Sequence, residues 1–194
     1  FGHRFELFVP VLGRHTVYNT LAAVTAALLL KVPPETIQTQ ISGFHNTGMR
    51  QKIYERDGFT IIEDCYNAGP ESTEAALEIL AGFRSRTNGR CIAVLGDMLE
   101  LGDLSREAHE ELGRLAAESG LYCLITYGEQ AKRTAVVAAA KGVETLHAEN
   151  YREAADALLD RVQPGDAVLV KASHGMALEK VLDIFYEEHK EAEV

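Results

Sequence analysis

The amino-acid sequence predicts an α/β fold in which a mostly parallel sheet carries helices on both faces. From about residue 51 onward, short apolar runs rich in β-branched residues alternate with longer segments of helical periodicity. The chain has 194 residues, of which 46% are hydrophobic. That is enough for one well-buried domain, or for one domain and a piece of another.

The first part of the chain has a different pattern. Phe5–Val11 alternates apolar and polar residues, which predicts a strand. The Ala- and Leu-rich segment Thr16–Leu30 predicts a helix that ends at two prolines, and Glu35–Ile41 predicts a second, short helix.

Turn residues around Asn46, Thr47 and Gly48 mark the predicted domain boundary, which divides the chain into residues 1–48 and 49–194. The strands predicted after it are Gln51–Glu55, Thr60–Asp64, Cys91–Leu95, Leu121–Tyr127, Glu144–His147 and Ala167–Lys171. The helices are Ser72–Phe83, Arg106–Ser119, Gln130–Lys141, Arg152–Val162 and Met176–Glu188. Such alternation requires right-handed crossovers and therefore predicts a Rossmann-like domain.

The charge and the cysteine pattern exclude several classes of protein. A formal net charge of −10 and a pI near 5.2 supply no broad positive field for a nucleic-acid backbone. Cys65, Cys91 and Cys123 are odd in number and widely spaced, which fits neither a disulfide framework nor a metal site. We therefore expect a reducing, cytoplasmic environment and no nucleic-acid partner.

The most apolar run, Leu21–Val32, is too short for a membrane span, so we expect no membrane association. The first residues, Phe1-Gly2-His3-Arg4, have neither an initiator Met nor the basic-then-apolar plan of a signal peptide, which suggests that the chain begins inside a longer protein. The charged tail Glu187–Val194 is expected to be a solvated helix end.

Polar residues follow three of the predicted strands, at the sheet edge where ligands of open α/β sheets bind. Asp64 ends the predicted strand Thr60–Asp64, and Tyr66 and Asn67 follow it. These residues could contact a ligand or cap the next helix. Asp97 and Glu100 follow the predicted strand Cys91–Leu95. They could receive an amino group, or they could face solvent while Met98 and Leu101 pack inward.

Lys171 ends the predicted strand Ala167–Lys171, and Ser173 follows it at the start of a helix. There a cation, a hydroxyl and backbone donors could hold an anion. A capping Ser173 with a solvated Lys171 is the alternative. The chain contains neither a Gly-x-x-x-x-Gly-Lys-Ser/Thr phosphate loop nor a Gly-x-Gly-x-x-Gly fingerprint, so it carries no complete ATP site of those kinds.

Taken together, five segments resemble the Mur ligase family over nearly the whole chain. They are Gly13-Arg14-His15-Thr16-Val17-Tyr18-Asn19, Met49-Arg50-Gln51, Asp64-Cys65-Tyr66-Asn67-Ala68-Gly69-Pro70, Leu95-Gly96-Asp97-Met98-Leu99-Glu100-Leu101-Gly102 and Val170-Lys171-Ala172-Ser173-His174-Gly175-Met176. The family has an amino-terminal domain for a UDP-sugar, a central P-loop ATPase domain and a carboxy-terminal Rossmann-like domain. The resemblance implies that residues 1–48 are the helical remnant of the central domain and that residues 49–194 are the third domain.

The resemblance also implies an activity in peptidoglycan precursor synthesis. With ATP and Mg²⁺, the carboxylate of UDP-N-acetylmuramoyl-tripeptide would become an acyl phosphate, which the amine of D-alanyl-D-alanine attacks. The phosphate-loop lysine and the metal ligands would lie outside this chain. We assign no catalytic residue or metal ligand to it, and we expect a monomer that is inactive alone.

Carried over to this sequence, the family pattern implies two sets of binding residues. His15, Asn19, Arg50, Asp64 and Tyr66 would bind the nucleotide, with Asn19 at the adenine and Arg50 and Asp64 at the ribose. Asn67, Asp97, Glu100, Lys171 and Ser173 would contact the dipeptide.

Four positions depart from the family pattern. Thr16 stands where Asn is usual, Cys65 where Ser is, Gly69 where a second Asn is, and His174 where Arg is common. Gly69 and His174 put two ligand contacts in question. At His174, a neutral imidazole cannot replace the permanent charge and bidentate binding of a guanidinium.

Two other functions compete with this reading. One is a free-standing Rossmann-like binding or regulatory domain, and the other is a related ligase with a different acceptor, as in folylpolyglutamate synthetases. A phosphate loop encoded upstream of Phe1 would favour a ligase fragment, and its absence would favour the free-standing module.

Overall fold

A computed structural model describes residues 4–46, 48–87 and 89–192 of the chain. It divides into two compact units, Phe1–Thr47 and Gly48–Val194. Of the four residues Phe1-Gly2-His3-Arg4, the first three lie outside those described, and so does Thr47 of the predicted boundary turn.

The first unit holds two helices, α1 (Arg14–Leu29) and α2 (Pro34–Ser42). Gly13, with φ 102°, precedes α1, and Pro34 occupies the first turn of α2, where its missing N–H costs nothing. The predicted strand Phe5–Val11 is wrong, because the segment has no regular secondary structure. Its side chains do alternate between half-buried and exposed, but a strand also needs a hydrogen-bonded partner.

The second unit has the alternating elements that the sequence predicts. The strands are β1 (Lys52–Arg56), β2 (Phe59–Asp64), β3 (Cys91–Gly96), β4 (Cys123–Tyr127), β5 (Glu144–Ala148) and β6 (Ala167–Lys171). The helices are α3 (Pro70–Thr87), α4 (Ser105–Glu118), α5 (Ala131–Ala140), α6 (Tyr151–Leu159) and α7 (Glu179–Ala192). Short 3₁₀ turns lie at Gly102–Leu104 and His174–Met176.

Helix α7 begins three residues later than predicted, since Met176 belongs to a 3₁₀ turn and Ala177 follows it with a left-handed φ of 43°. At the other end the helix continues to Ala192, and the last two residues of the predicted solvated tail lie outside those described. No helix formed by the described residues is long and apolar enough to span a bilayer.

The strands form one six-stranded sheet in the order β1-β2-β6-β3-β4-β5. Strand β1 pairs antiparallel with β2, and all other pairs are parallel. The last strand in the sequence, β6, therefore lies between β2 and β3. This confirms the predicted mostly parallel Rossmann-like sheet.

Alternate residues of each strand face opposite helical layers. One layer packs α6 and α7 against residues such as Ile61, Val94 and Val170. The opposite strand faces, which include Cys91 bonded to the Leu80 carbonyl of α3, lie under α3, α4 and α5. Both faces are thus covered, and the carboxyl ends of β2, β6 and β3 lie side by side at one edge of the sheet.

Candidate functional site

The three polar segments that follow β2, β3 and β6 meet at the carboxyl edge of the sheet. They are residues 64–70, 97–102 and 171–176, and the strand order makes them neighbours. Hydrogen bonds join all three segments. The structure therefore brings together the predicted residues of the second unit that these segments carry.

A buried ion pair joins the ends of β2 and β6. Asp64 and Lys171 are directly paired in the parallel register and face the same side of the sheet. Lys171 Nζ lies 2.6 Å from Asp64 Oδ2 and donates a second hydrogen bond of 2.8 Å to the Asn67 carbonyl. The Lys171 side chain is 1% exposed and that of Asp64 17% exposed. The alternative of a solvated Lys171 is wrong, because the strand register directs this side chain into the layer beneath α3.

The other oxygen of Asp64 reaches the beginning of β1. Asp64 Oδ1 accepts a 3.1 Å hydrogen bond from the backbone N–H of Gln51, the neighbour of Arg50. A carboxylate has about four acceptor sites, and two are used here, so about two remain for a ligand. Asp64 is thus fixed in place and still able to accept hydrogen bonds.

Arg50 and Tyr66 form an exposed cation–π contact beside this pair. Arg50 Cζ lies 3.8 Å from the centroid of the Tyr66 ring, which is 45% exposed. The imidazole of His174 lies on the same ring at a centroid distance of 5.9 Å. Stacking uses the guanidinium face and leaves its N–H edge able to bind anions. His174, where the family commonly has Arg, is also exposed.

Two of the family departures, Cys65 and Gly69, lie within three residues of Tyr66 in the sequence. Cys65 is fully buried and its thiol contacts the Val170 carbonyl at 3.5 Å. Burial, followed by the neighbouring carboxylates of Glu179 and Glu63, raises the pKa of Cys65 to about 12, so the group is an inert thiol at neutral pH. A Cβ added to Gly69 would meet no atom within 4 Å, so the larger residue usual in the family would find room here.

Ser173 connects all three loops. Its hydroxyl accepts from the Leu99 N–H at 2.9 Å and donates to the Ala68 carbonyl at 3.3 Å. Its backbone N–H donates to the Asp97 carbonyl at 3.1 Å. Ser173 is 5% exposed, so its polar atoms are used within the protein. Whether it contacts substrate stays a prediction.

Asp97 is buried as well, at 6% exposure, so the alternative in which it faces solvent is wrong. Its Oδ1 accepts a 2.7 Å hydrogen bond from the Ala131 N–H, at the start of α5. The next loop comes close at Gly128, where an added Cβ would clash with the Asp97 carboxylate. A glycine directly after strand β4 was the sequence signal for this close approach. Its partner Asp97, however, follows a different strand, β3.

Glu100 and Asn67 are the two predicted dipeptide contacts that are exposed. Glu100 has a left-handed φ of 65°, which is uncommon for a residue other than glycine. The Asn67 side-chain oxygen accepts from the adjacent Ala68 N–H at 2.9 Å, and its amide N–H₂ donors point to no partner among the described hydrogen bonds.

Sequence reasoning missed His109, which shapes the loop that carries Glu100. His109 is fully buried on α4, and its Nε2 accepts a 3.0 Å hydrogen bond from the Met98 N–H. Its Nδ1 lies 2.7 Å from the Ser105 carbonyl and must donate to it, so the ring is the neutral tautomer. The spacing of four residues between Ser105 and His109 on one helix was the only available signal.

His15 and Asn19 belong to the first unit. Both lie on α1 and are exposed. Thr16, between them, donates from its hydroxyl to the Gly13 carbonyl at 2.6 Å, which satisfies it within the first turn of the helix. The roles of Asn19 at the adenine and of His15 beside it in nucleotide binding stay predictions.

The edge of the sheet is suited to binding a ligand that has hydroxyl groups and a flat or anionic part. Asp64 can accept from hydroxyls, and Arg50 and Tyr66 present a cation and a ring. Among the described residues no group of three or more His, Cys, Asp and Glu side chains is arranged to hold a metal ion.

The Mur ligase glutamate ligase domain matches residues 49–174 of the chain. The chain is 38% identical over 187 residues to the UDP-N-acetylmuramoyl-tripeptide–D-alanyl-D-alanine ligase of Bacillus subtilis, covering 93% of this chain and 40% of that protein. It is 33% identical over 196 residues to the Mycobacterium leprae ligase of the same name, with coverages of 92% and 38%. The chain thus spans about two fifths of the length of these relatives.

Solved structures give the same picture. MurF from Acinetobacter baumannii superposes with a TM-score of 0.82 at 30% identity, over 93% of this chain and 39% of that one. MurF from Thermotoga maritima in complex with ADP superposes with a TM-score of 0.77 at 27% identity, over 93% of this chain and 40% of that one.

Proposed function

The chain belongs to the Mur ligase family, and from this premise we propose that it is the carboxy-terminal part of an ATP-dependent ligase that adds D-alanyl-D-alanine to UDP-N-acetylmuramoyl-tripeptide. The observation that carries the proposal is the similarity to ligases of that name along almost the whole chain. The site at the carboxyl edge of β2, β6 and β3 supports it. The reaction belongs to peptidoglycan precursor synthesis, and we place the protein in the cytoplasm as a monomer.

The domain assignment is part of the proposal. Residues 1–48 would be the end of the central P-loop domain, and residues 49–194 the domain that brings the acceptor. ATP supplies the phosphoryl group that activates the tripeptide carboxylate, and Mg²⁺ offsets the phosphate charge. Since the described residues hold no acidic cluster suited to a metal, the Mg²⁺ ligands would lie in the rest of the protein.

Within this chain, we assign the nucleotide to the Arg50, Asp64 and Tyr66 group. Asp64 is placed to accept hydrogen bonds from ribose hydroxyls through its remaining acceptor sites, and Arg50 offers a cation beside it. His15 and Asn19, on the first unit, are the other two proposed nucleotide-binding residues, with Asn19 at the adenine.

We assign the acceptor dipeptide to the neighbouring loops. Glu100 and Asn67 are exposed and can receive its ammonium and carboxylate groups. Asp97 and Ser173 are buried and bonded to other loops, so their contribution would be to hold that surface in shape. Bringing the amine to the activated carboxylate in one geometry is an entropic advantage that needs a rigid surface.

The test is a ligation assay with the full-length protein. We expect ATP-dependent formation of UDP-N-acetylmuramoyl-pentapeptide with D-alanyl-D-alanine, detected by mass spectrometry, and none with L-alanyl-L-alanine. Residues 1–194 alone should give no product. Absence of product from the full-length protein with all three substrates would refute the acceptor assignment, and a gene without an upstream phosphate loop would favour the free-standing module.

A further inference from the structure

We propose that Lys171 is a positioning residue of the nucleotide site, which holds Asp64 and the turn that carries Tyr66 in the arrangement that faces the ligand. The inference rests on the proposed function, in which Asp64 and Tyr66 contact the nucleotide. It differs from the expectation that Lys171 contacts the dipeptide.

The register of the sheet is the first argument. Asp64 and Lys171 are the last residues of neighbouring parallel strands and are paired directly. They face the same side of the sheet, so the ammonium and the carboxylate meet at 2.6 Å without leaving the strand geometry. The contact is therefore a product of the sheet itself and does not depend on a mobile loop.

The difference in exposure shows which partner meets the ligand. The Lys171 side chain is 1% exposed, and it donates to Asp64 and to the Asn67 carbonyl, both within the protein. The Asp64 side chain is 17% exposed and keeps acceptor sites. Lys171 therefore holds Asp64 in place from within the protein, and Asp64 is the group of the pair that a ligand can reach.

A second argument comes from the number of ligand-facing groups that this cation orders. Through Asp64 it is linked to the Gln51 N–H, next to Arg50, and through the Asn67 carbonyl it fixes the residue after Tyr66. Arg50 and Tyr66 then stack at 3.8 Å. One buried ammonium therefore connects β6, β2 and the start of β1.

A buried ion pair is not needed for stability alone, because apolar residues of similar size often serve as well. The buried cation at this position is better explained by the geometry that it imposes on its partners. Removing it should leave Asp64 free to rotate and should weaken nucleotide binding more than dipeptide binding.

The experiment is a double-mutant cycle in the full-length ligase, with the variants K171M, D64N and K171M/D64N. We expect K171M to raise KM for ATP about tenfold or more while KM for D-alanyl-D-alanine stays within about twofold. The loss in the double variant should be clearly smaller than the sum of the two single losses, since Lys171 acts in large part through Asp64. Calorimetry with ADP should reproduce the loss in affinity independently of turnover.

Several outcomes would overturn the proposal. An increase in KM for the dipeptide without an increase for ATP would mean that Lys171 serves the acceptor, and additive losses in the cycle would mean that it does not act through Asp64. If K171M fails to fold, K171Q takes its place, and a wild-type KM for ATP in that variant would refute the idea. Failure of the proposed function is distinct, because the wild-type protein itself would then show no ligation.

Discussion

At the scale of single residues, buried polar side chains determine the shape of the site. Asp97, Ser173 and His109 each hold a loop by accepting a hydrogen bond from a backbone N–H of another segment. A buried N–H without an acceptor costs about 1–3 kcal/mol, so each of these side chains restricts the loop conformations. Exposed Glu100 and Asn67 lie on this framework.

Gly128 is a residue of the site at which we predict a large effect of a single added methyl group. It has a φ of 116°, and the new Cβ would overlap the Asp97 carboxylate and lie 2.8 Å from Met176 Cε. We expect Gly128→Ala to lower the free energy of unfolding by about 3 kcal/mol, from backbone strain and the clash together. Urea denaturation followed by circular dichroism measures it.

The matched control is Gly142→Ala. Gly142 has a similar φ of 93°, but an added Cβ would meet no atom within 4 Å, so this variant carries the strain without the clash. It should lose only about 1 kcal/mol. Equal losses in the two variants would show that the Asp97 contact contributes nothing.

At the scale of helices and strands, most elements could be predicted because their apolar periodicity is local. The strand at Ala167–Lys171 has the predicted bounds, and the other strands differ by a few residues at their ends. The strand predicted at Phe5–Val11 was wrong, because alternation of apolar and polar residues indicates which side chains are buried. It does not show that the segment pairs with another strand. The buried positions of Asp97 and Lys171 could not be predicted, since their partners come from distant segments and depend on strand order and register.

The amino ends of β3 and β6 are joined by the ion pair of Arg90 and Asp166. Asp166 is 3% exposed and also accepts from the Arg90 and Gln163 N–H groups, at 2.8 and 2.9 Å. Burial opposes its ionisation, but the hydrogen bonds from Arg90 and Gln163 outweigh burial and hold the pKa of Asp166 below its usual value.

From that pair we predict a pH-dependent loss of stability in Asp166→Asn. A carboxyl whose folded pKa is lowered stabilises the protein above its unfolded pKa of about 3.9, and this contribution disappears as the pH falls through the lower folded value. The variant should therefore lose about 3 kcal/mol at pH 7 and progressively less below about pH 4. Urea unfolding at several pH values tests this, with exposed Asp160→Asn as the control. A loss that does not change with pH would contradict the role of the charge.

At the scale of the whole molecule, the second unit contains a complete core. Every residue of the main hydrophobic cluster lies between Phe59 and Tyr186, and all six strands belong to the same unit. Among the described residues, the helices α3 to α7 that cover this sheet belong to that unit as well.

We therefore predict that residues 48–194 fold without the first unit. Their circular dichroism should show helix and strand, and thermal unfolding should be a single cooperative transition, as in other small domains. The complete chain, residues 1–194, is the reference for both measurements. A compact state that binds a hydrophobic dye and unfolds without cooperativity would contradict the prediction.

The central place of β6 also has a consequence for how the protein is made. The strand pairs with β2 in registers that join residues more than a hundred positions apart, such as Asp64 and Lys171. During synthesis the hairpin of β1 and β2 emerges before the other strands of this sheet, and it has no neighbour in the sheet until Ala167–Lys171 leaves the ribosome. Such long-range closure is slow compared with the formation of local βα units. The edge of the sheet that carries Asp64 is therefore assembled last, although Asp64 is translated before β3, β4, β5 and β6.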